Sequence, residues 1–191
     1  MAELNVIAIS GSLRQGSYNS ATLRAAQTLA PAGMKIEIAD ISDIPIYNQD
    51  IKDKGIPKSV ETLVAQVLAA DAILFATPEY NYSVSGVLKN CIDWLSRCNP
   101  MPLADKPAAI VSASIGRFGG ARAQYDLRRI LIYLDVHFVN KPEVMIASAG
   151  THFDADGHLI DVDTREHLTR LLQSLATWTE RLQAAKPATK P

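Results

Sequence analysis

The feature that most constrains the fold of this chain is a regular alternation of short apolar runs with longer amphipathic stretches along its 191 residues. The first apolar run, residues 4–10, lacks strict polar–apolar alternation, as expected of a strand that is covered on both faces. Strands that alternate with helices form βαβ units and a parallel sheet. The pattern therefore predicts an α/β fold, a doubly wound three-layer sandwich. The predicted strands span residues 4–10, 34–39, 72–77, 108–114 and 144–149, and the predicted helices span residues 19–30, 58–70, 84–98, 120–134 and 164–185.

No internal repeat or composition shift marks a boundary, so we expect one domain over residues 1–185 and a disordered tail over residues 186–191. Residues 40–57 are expected to form a surface excursion, and residues 153–159, with an Asp-Gly turn signal, a loop or small hairpin. Cys91 and Cys98 are seven positions apart in a predicted helix, or about 10 Å along its axis, which is too far for a disulfide. Both are expected to be small core residues.

Composition excludes several classes of function. The formal net charge of −1 argues against a nucleic-acid partner, which usually requires a basic stripe. No apolar run approaches the roughly 20 residues that span a bilayer, so no integral membrane segment is expected. The first residues show neither a basic region nor a cleavage site, and this indicates a cytoplasmic protein.

Function is sought in the loops after the strands, because open α/β sheets bind ligands at the carboxyl ends of their strands. The first such loop reads GSLRQGSYN over residues 11–19. Ser12, Ser17 and Asn19 offer polar hydrogens, the backbone N–H groups that begin the next helix attract anions, and Arg14 can pair with a phosphate. This loop predicts a phosphate site, although an ordinary polar turn with a helix N-cap is an open alternative.

Two better-known phosphate loops are excluded by spacing. A Walker A loop has Lys after its second glycine, whereas Ser17 follows Gly16 here. The dinucleotide fingerprint G-x-G-x-x-G has a glycine where this chain has Leu13.

Two further loops carry chemistry. Residues 78–83, PEYNYS, combine aromatic rings with amide and hydroxyl groups that can line a flat ring, and Ser83 is predicted to N-cap a helix that begins near Val84. Residues 112–120 contain three glycines in five positions, which suggests a close backbone approach to a ligand. A proline-initiated turn and a flexible loop are the respective alternatives. Together, the three loops predict a site for a mononucleotide with a planar ring, which is FMN.

At these motifs the chain resembles a known family. The strings GSLRQGSYN and PEYNYSVSGVLKNCIDWLSR and residues 106–144 are similar to the NADPH-dependent FMN reductase family, in particular its NAD(P)H quinone and chromate reductase branch. The resemblance covers roughly residues 4–149. It implies a flavodoxin-like fold with a five-stranded parallel sheet of order 2-1-3-4-5 and non-covalent FMN. The chain departs from the family pattern at Ser85, where proline is usual, and at Cys91, where alanine is usual.

The resemblance, combined with the loop analysis, assigns a set of cofactor-binding residues. It implies that residues 12–19 wrap the phosphate, that residues 79–82 border the flavin ring and that the loop after the fourth strand contacts it. The predicted cofactor residues are Ser12, Leu13, Arg14, Gln15, Gly16, Ser17, Tyr18, Asn19, Pro78, Glu79, Tyr80, Asn81, Tyr82, Ser114 and Gly116. Arg117 is a candidate to steer an anionic substrate, and a solvated loop arginine is the alternative.

The resemblance implies an FMN-dependent NAD(P)H oxidoreductase that works by a ping-pong mechanism. Its acceptors would be quinones, with chromate, ferric complexes or azo dyes as further candidates. The flavin supplies the chemistry at N5, so no catalytic side chain is predicted.

No metal is predicted either, although Asp154 and Asp156 resemble part of a calcium-binding loop. His137, His152, His158 and His167 all lie past residue 136 and are expected to be surface or packing residues.

Two alternatives come from other classes of function. A flavodoxin-type electron carrier would bind FMN without oxidising NAD(P)H, although such carriers tend to be strongly acidic. A dehydrogenase-like domain would hold a ribose through Asp40, although the missing glycine fingerprint weighs against it.

The predicted helix 120–134 suggests an assembly. One face carries Ala123, Leu127, Ile130, Leu131 and Leu134 at helical spacing and is the predicted core face. Ala121, Tyr125 and Ile132 form a second apolar stripe, flanked by Arg122, Arg128 and Arg129. Aromatic residues and arginines are enriched at interfaces, so we expect a homodimer or homotetramer that uses this helix through Arg122, Tyr125 and Arg129. A solvent-facing arginine-rich surface is the alternative.

Overall fold

The computed structural model describes residues 3–185, and the predicted tail over residues 186–191 lies outside them. The strands are β1 (Leu4–Ser10), β2 (Met34–Ile38), β3 (Ala72–Ala76), β4 (Glu79–Tyr80), β5 (Ser83–Val84), β6 (Pro107–Ala113), β7 (His137–Phe138) and β8 (Val144–Ile146). A parallel sheet runs through the centre in the order β2-β1-β3-β6, with β7 and β8 both paired to β6. Its five main strands, β2-β1-β3-β6-β8, confirm the predicted order.

Helices cover both faces of this sheet. They are α1 (Tyr18–Leu29), α2 (Gln49–Lys52), α3 (Lys58–Ala69), α4 (Gly86–Leu95), α5 (Ala121–Leu131) and α6 (Val162–Ala185). Buried side chains form one core beneath α1 and α6 and a second beneath α3, α4 and α5. All residues of β3 and β6 are buried, which explains why their sequences are apolar without alternation. None of the helices within residues 3–185 is long and apolar enough to cross a membrane.

The largest difference from the sequence prediction lies between β3 and α4. There, β4 and β5 form a small antiparallel hairpin over residues 79–84. Its turn residues, Asn81 and Tyr82, have φ values of 50° and 69°, a region that non-glycine residues seldom adopt. The predicted N-cap at Ser83 is therefore wrong, because the helix begins two residues later. Ser85 is the N-cap, and its Oγ accepts a hydrogen bond from the Leu88 N–H.

Smaller differences occur near the last strands. The strand predicted over residues 144–149 ends at Ile146, and Ala149–Thr151 forms a 3₁₀ turn. The predicted helix 120–134 ends its α-helical part at Leu131 and continues as a 3₁₀ turn. Within residues 40–57, α2 is a short helix that was not predicted. A Phe153–Leu159 bridge agrees with the predicted small hairpin.

Both cysteines are free thiols. Cys91 is buried on α4, and desolvation raises its pKa to about 12. Cys98 lies beyond the end of α4 and is half-buried, and desolvation raises its pKa as well. The core position expected for Cys91 is thus confirmed, whereas Cys98 lies at the edge of the core.

The loop after β6 is tightly packed at Gly120, and a substitution there can measure this packing. Its φ is +87°, and a Cβ there would lie 2.7 Å from the Ser112 Cβ. Gly33 has nearly the same φ, +86°, but a Cβ there would meet no atom within 4 Å. We expect Gly33→Ala to lower the free energy of unfolding by about 1 kcal/mol through backbone strain, and Gly120→Ala by about 3 kcal/mol because the clash adds to the strain. Urea unfolding measures both, and equal losses would contradict this account.

Candidate active site

Three loops meet at one edge of the sheet. Ser10 at the end of β1 lies opposite Ala76 at the end of β3, and Ala76 lies opposite Val111 of β6. The segments that follow these strands therefore leave the sheet side by side, as the sequence predicted. We name them the phosphate loop (residues 11–19, including the first two residues of α1), the aromatic hairpin (residues 79–84) and the glycine loop (residues 114–120).

The phosphate loop presents a row of unused backbone donors. Ser17 is the N-cap of α1, and its Oγ accepts a hydrogen bond from the Ser20 N–H. Several preceding and following N–H groups have no acceptor among residues 3–185, and those of Tyr18 and Asn19 lie at the positive end of the α1 dipole. These donors belong to Leu13, Gln15, Gly16, Tyr18 and Asn19. Such a set is a ready anion site.

The side chains of the phosphate loop are partly committed to the loop itself. The Arg14 guanidinium donates to the Gly16 carbonyl at 2.6 Å and is otherwise exposed. The Ser12 Oγ accepts from the Arg14 N–H at 3.4 Å. Leu13, Gln15 and Gly16 are exposed. Hydrogen bonds within the loop thus hold it together, and Arg14 stays exposed.

Two predicted cofactor residues at the start of α1 have structural contacts. The Asn19 carboxamide donates to the Ala113 carbonyl at 2.9 Å and accepts from the Ala113 N–H at 3.0 Å, and the residue is buried. The Tyr18 ring packs on Phe153, with 5.3 Å between ring centroids. Asn19 therefore joins the phosphate loop to the end of β6, and its remaining contribution toward an anion is the backbone N–H.

The Glu79 carboxylate is bonded to the start of α5. Its Oε2 accepts the backbone N–H groups of Arg122 and Ala123 at 3.1 and 3.4 Å, and its Oε1 accepts from the Arg122 Nε at 2.6 Å. The Glu79 side chain is 8% exposed, so it caps the helix in a largely dry environment. Because Arg122 is 43 residues away, no local sequence pattern could reveal the contact.

Arg122 in turn lies between two aromatic rings. Its Cζ is 3.8 Å from the centroid of Tyr82 and 4.8 Å from that of Phe118. The hydrogen bond to Glu79 raises the pKa of the Arg122 guanidinium. Sequence reasoning missed Phe118, whose position just before the Gly-Gly pair gives no signal of this stacking.

Apolar side chains are unusually exposed around the three loops. Monomeric surfaces seldom gather such groups in one place unless they bind something. More than half of each residue's reference area is accessible at Leu13, Tyr80, Tyr82, Ile115 and Phe118.

The remaining predicted residues have simple positions. Pro78 is buried at the base of the aromatic hairpin, and Asn81 is exposed at its tip. The Ser114 Oγ accepts the Gly116 N–H at 3.1 Å, which closes the start of the glycine loop. Arg117 is exposed and has no ion pair among residues 3–185.

The histidines lie outside the three loops, and each has a hydrogen-bond partner; that of His158 is Asp154. His137 contacts Asp105, His152 contacts Thr164 and Asp161, and His167 contacts the Asp163 carbonyl. Asp154, Asp156 and His158 bring their ligand-type atoms within 4.8 Å of one another on the surface.

The Asp154 carboxylate in that group is already occupied. It accepts the N–H groups of Asp156 and His158, and the His158 backbone bond lowers the pKa of Asp154. An Asp side chain that accepts nearby backbone N–H groups in this way is typical of an Asx turn. The absence of a metal stays a prediction.

The chain is similar to proteins of known activity. The family described as NADPH-dependent FMN reductase matches residues 4–151. An NAD(P)H-dependent FMN reductase of Pseudomonas aeruginosa is 59% identical over 95% of this chain and 98% of its own length. A quinone reductase of Escherichia coli is 44% identical over 95% and 98%. The structure of the flavoenzyme NAD(P)H:(acceptor) oxidoreductase FerB from Paracoccus denitrificans is 33% identical, with a TM-score of 0.85 over 93% of this chain and 98% of that one.

The Glu79 carboxylate is expected to stabilise the fold through its charge. Glu79→Gln keeps the shape but removes the ion pair with Arg122 and the favourable charge at the α5 N-terminus. We expect the melting temperature of the flavin-free chain to fall by roughly 3 °C. Asp93→Asn is the control, because Asp93 pairs with Lys89 on a partly exposed side of α4, away from a helix N-terminus, and should change the melting temperature by under about 1 °C. Equal effects of the two substitutions would contradict a special role for Glu79.

Proposed function

The chain belongs to the NADPH-dependent FMN reductase family, and we propose that it holds FMN without a covalent bond and oxidises NAD(P)H, passing two electrons to quinones. The observation that carries the proposal is the juxtaposition of unused backbone donors in the phosphate loop with exposed aromatic rings at the same sheet edge. A mononucleotide with a planar ring needs both.

The donor chemistry fits the phosphate end of FMN. Five backbone N–H groups without acceptors among residues 3–185, together with the exposed part of the Arg14 guanidinium, match an anion with several acceptor oxygens. Ser12 and Ser17 add hydroxyl groups beside them. We propose that residues 12–19 hold the phosphate.

The aromatic hairpin and the glycine loop fit the ring end. Tyr80 and Tyr82 are each more than half exposed, and the hairpin is held by β4–β5 pairing and by the contact of Arg122 with Tyr82. A bound FMN would supply the redox chemistry, which is two-electron transfer through its ring. Residues 78–82, Ser114 and Gly116 are proposed to orient the ring and to leave one face open for a flat substrate.

The open face of the flavin ring can receive two flat substrates, one after the other. The exposed rings of Tyr82 and Phe118 can stack on a planar nicotinamide or quinone. Quinones are proposed as acceptors because relatives at 44–48% identity are named quinone reductase and NADPH:quinone oxidoreductase. Chromate, ferric complexes and azo dyes stay predictions, and so does a steering role for Arg117.

The cytoplasmic location predicted from the sequence remains part of the proposal.

A spectroscopic experiment tests the proposed function. The purified full-length chain should be yellow or should take up FMN, and NADPH added without oxygen should bleach the flavin absorbance. A quinone added afterwards should restore it. A yellow protein that neither NADH nor NADPH bleaches would indicate an electron carrier instead, and a chain unable to take up FMN would refute the proposal.

We also propose that α5 forms an interface between copies of this chain. Tyr125 is 56% exposed, and the adjoining 3₁₀ turn exposes Ile132 by 74% and Tyr133 by 91%. Arg129 is exposed beside them, and the Tyr125 hydroxyl donates to Glu143 at 3.3 Å. Arg122, which the sequence analysis also placed in the interface, is already bonded to Glu79. Water-exposed aromatic and aliphatic groups beside arginines are the composition expected of an interface.

The interface is tested by Tyr125→Asp, which places a charge in the centre of this stripe. We expect the substitution to reduce the assembly to a smaller species, because a buried unpaired carboxylate is strongly unfavourable. Light scattering coupled to size-exclusion chromatography gives the mass. Ile46→Asp is the control, because Ile46 is 78% exposed in the loop before α2 and its substitution should leave the mass unchanged. An unchanged mass in Tyr125→Asp would refute the interface.

A further inference from the structure

Ser85 joins the beginning of α4 to the first residue of the phosphate loop. Its Oγ donates to the Gly11 carbonyl at 2.6 Å and accepts from the Leu88 N–H at 3.3 Å. Ser85 is completely buried, so water cannot replace either partner. The residue follows the aromatic hairpin directly, and the bond to Gly11 crosses 74 positions of sequence.

The Gly11 peptide is held from two sides. Its N–H donates to the Ala76 carbonyl at 2.7 Å, and its carbonyl accepts the Ser85 hydroxyl. A Cβ at Gly11 would lie 2.9 Å from the Ser85 Oγ and 3.0 Å from the Pro78 Cδ. The start of the phosphate loop is therefore packed closely against the residues that flank the aromatic hairpin, Pro78 and Ser85.

We propose that Ser85 is a positioning residue that sets the spacing between the phosphate loop and the aromatic hairpin. The inference rests on the proposed function, because spacing matters only to a ligand that engages both loops. FMN has a phosphate at one end and a ring at the other, joined by a chain of limited length. Two loops bind such a ligand well only when their separation matches that length.

The Ser85 hydroxyl has no equivalent in proline, the residue that the family resemblance places at this position. Proline has no donor for the Gly11 carbonyl. The backbone of Ser85, at φ −65° and ψ 149°, already has the conformation of proline. Ser85→Pro therefore preserves the path of the chain and removes both hydrogen bonds, whereas Ser85→Ala removes the bonds and leaves the backbone freer.

The test compares two flavins on the flavin-free full-length chain. FMN and riboflavin share the ring, and riboflavin lacks the phosphate. We expect Ser85→Ala and Ser85→Pro each to weaken FMN binding by about ten-fold, measured by quenching of flavin fluorescence, and to change riboflavin binding by less than about two-fold. The ratio of the two dissociation constants therefore reports the spacing between the phosphate loop and the aromatic hairpin. A general loss of stability would instead lower both affinities together.

A matched control lies at the other end of the same helix. The Ser96 hydroxyl donates to the Asp93 carbonyl at 2.7 Å, and Ser96→Ala should leave both affinities unchanged. Equal losses for FMN and riboflavin, unchanged FMN binding, or wild-type FMN binding in Ser85→Pro alone would each overturn the positioning role. Failure of both Ser85 variants to fold would do so too, because Ser85 would then be a folding residue. Failure of the unsubstituted chain to bind FMN would instead refute the proposed function.

Discussion

The in-register parallel pairing of β1, β3 and β6 is the constraint on which the rest of the structure depends. Because these strands run in one direction, their carboxyl ends lie at one edge, and every loop of the candidate site begins there. Helices on both faces bury these strands and leave their ends as the place where polar backbone groups reach solvent. The site is thus a consequence of the sheet.

Side-chain bonds connect the loops at that common edge to the elements beside them. Asn19 ties the phosphate loop to the end of β6, Ser85 ties it to the start of α4, and Glu79 ties the aromatic hairpin to α5. All three side chains are buried or nearly so, where a hydrogen bond without water competition fixes geometry strongly. Each loop is thus tied to an element outside itself.

The sequence predicted the elements that follow from periodicity and missed those that follow from long-range contacts. The five main strands, their order and the three loops were predictable because burial on two faces, helical spacing and the family motifs leave a clear pattern. The aromatic hairpin was not, since a turn with positive φ at Asn81 and Tyr82 lacks the usual glycine. The side-chain contacts of Asn19 and Glu79 were not predictable either. The two residues were predicted to bind a cofactor. Both side chains are bound to backbone groups 94 and 43 positions away, which no local pattern encodes.

The thiol of Cys91 has a chemical consequence for a protein proposed to handle quinones. Quinones are electrophiles that form adducts with thiolates, and only the deprotonated form of a cysteine attacks them readily. With a pKa of about 12 and a side chain enclosed by the core, Cys91 stays protonated at neutral pH and out of reach. Helix α4 therefore carries sulfur without offering a nucleophile that the substrate could alkylate.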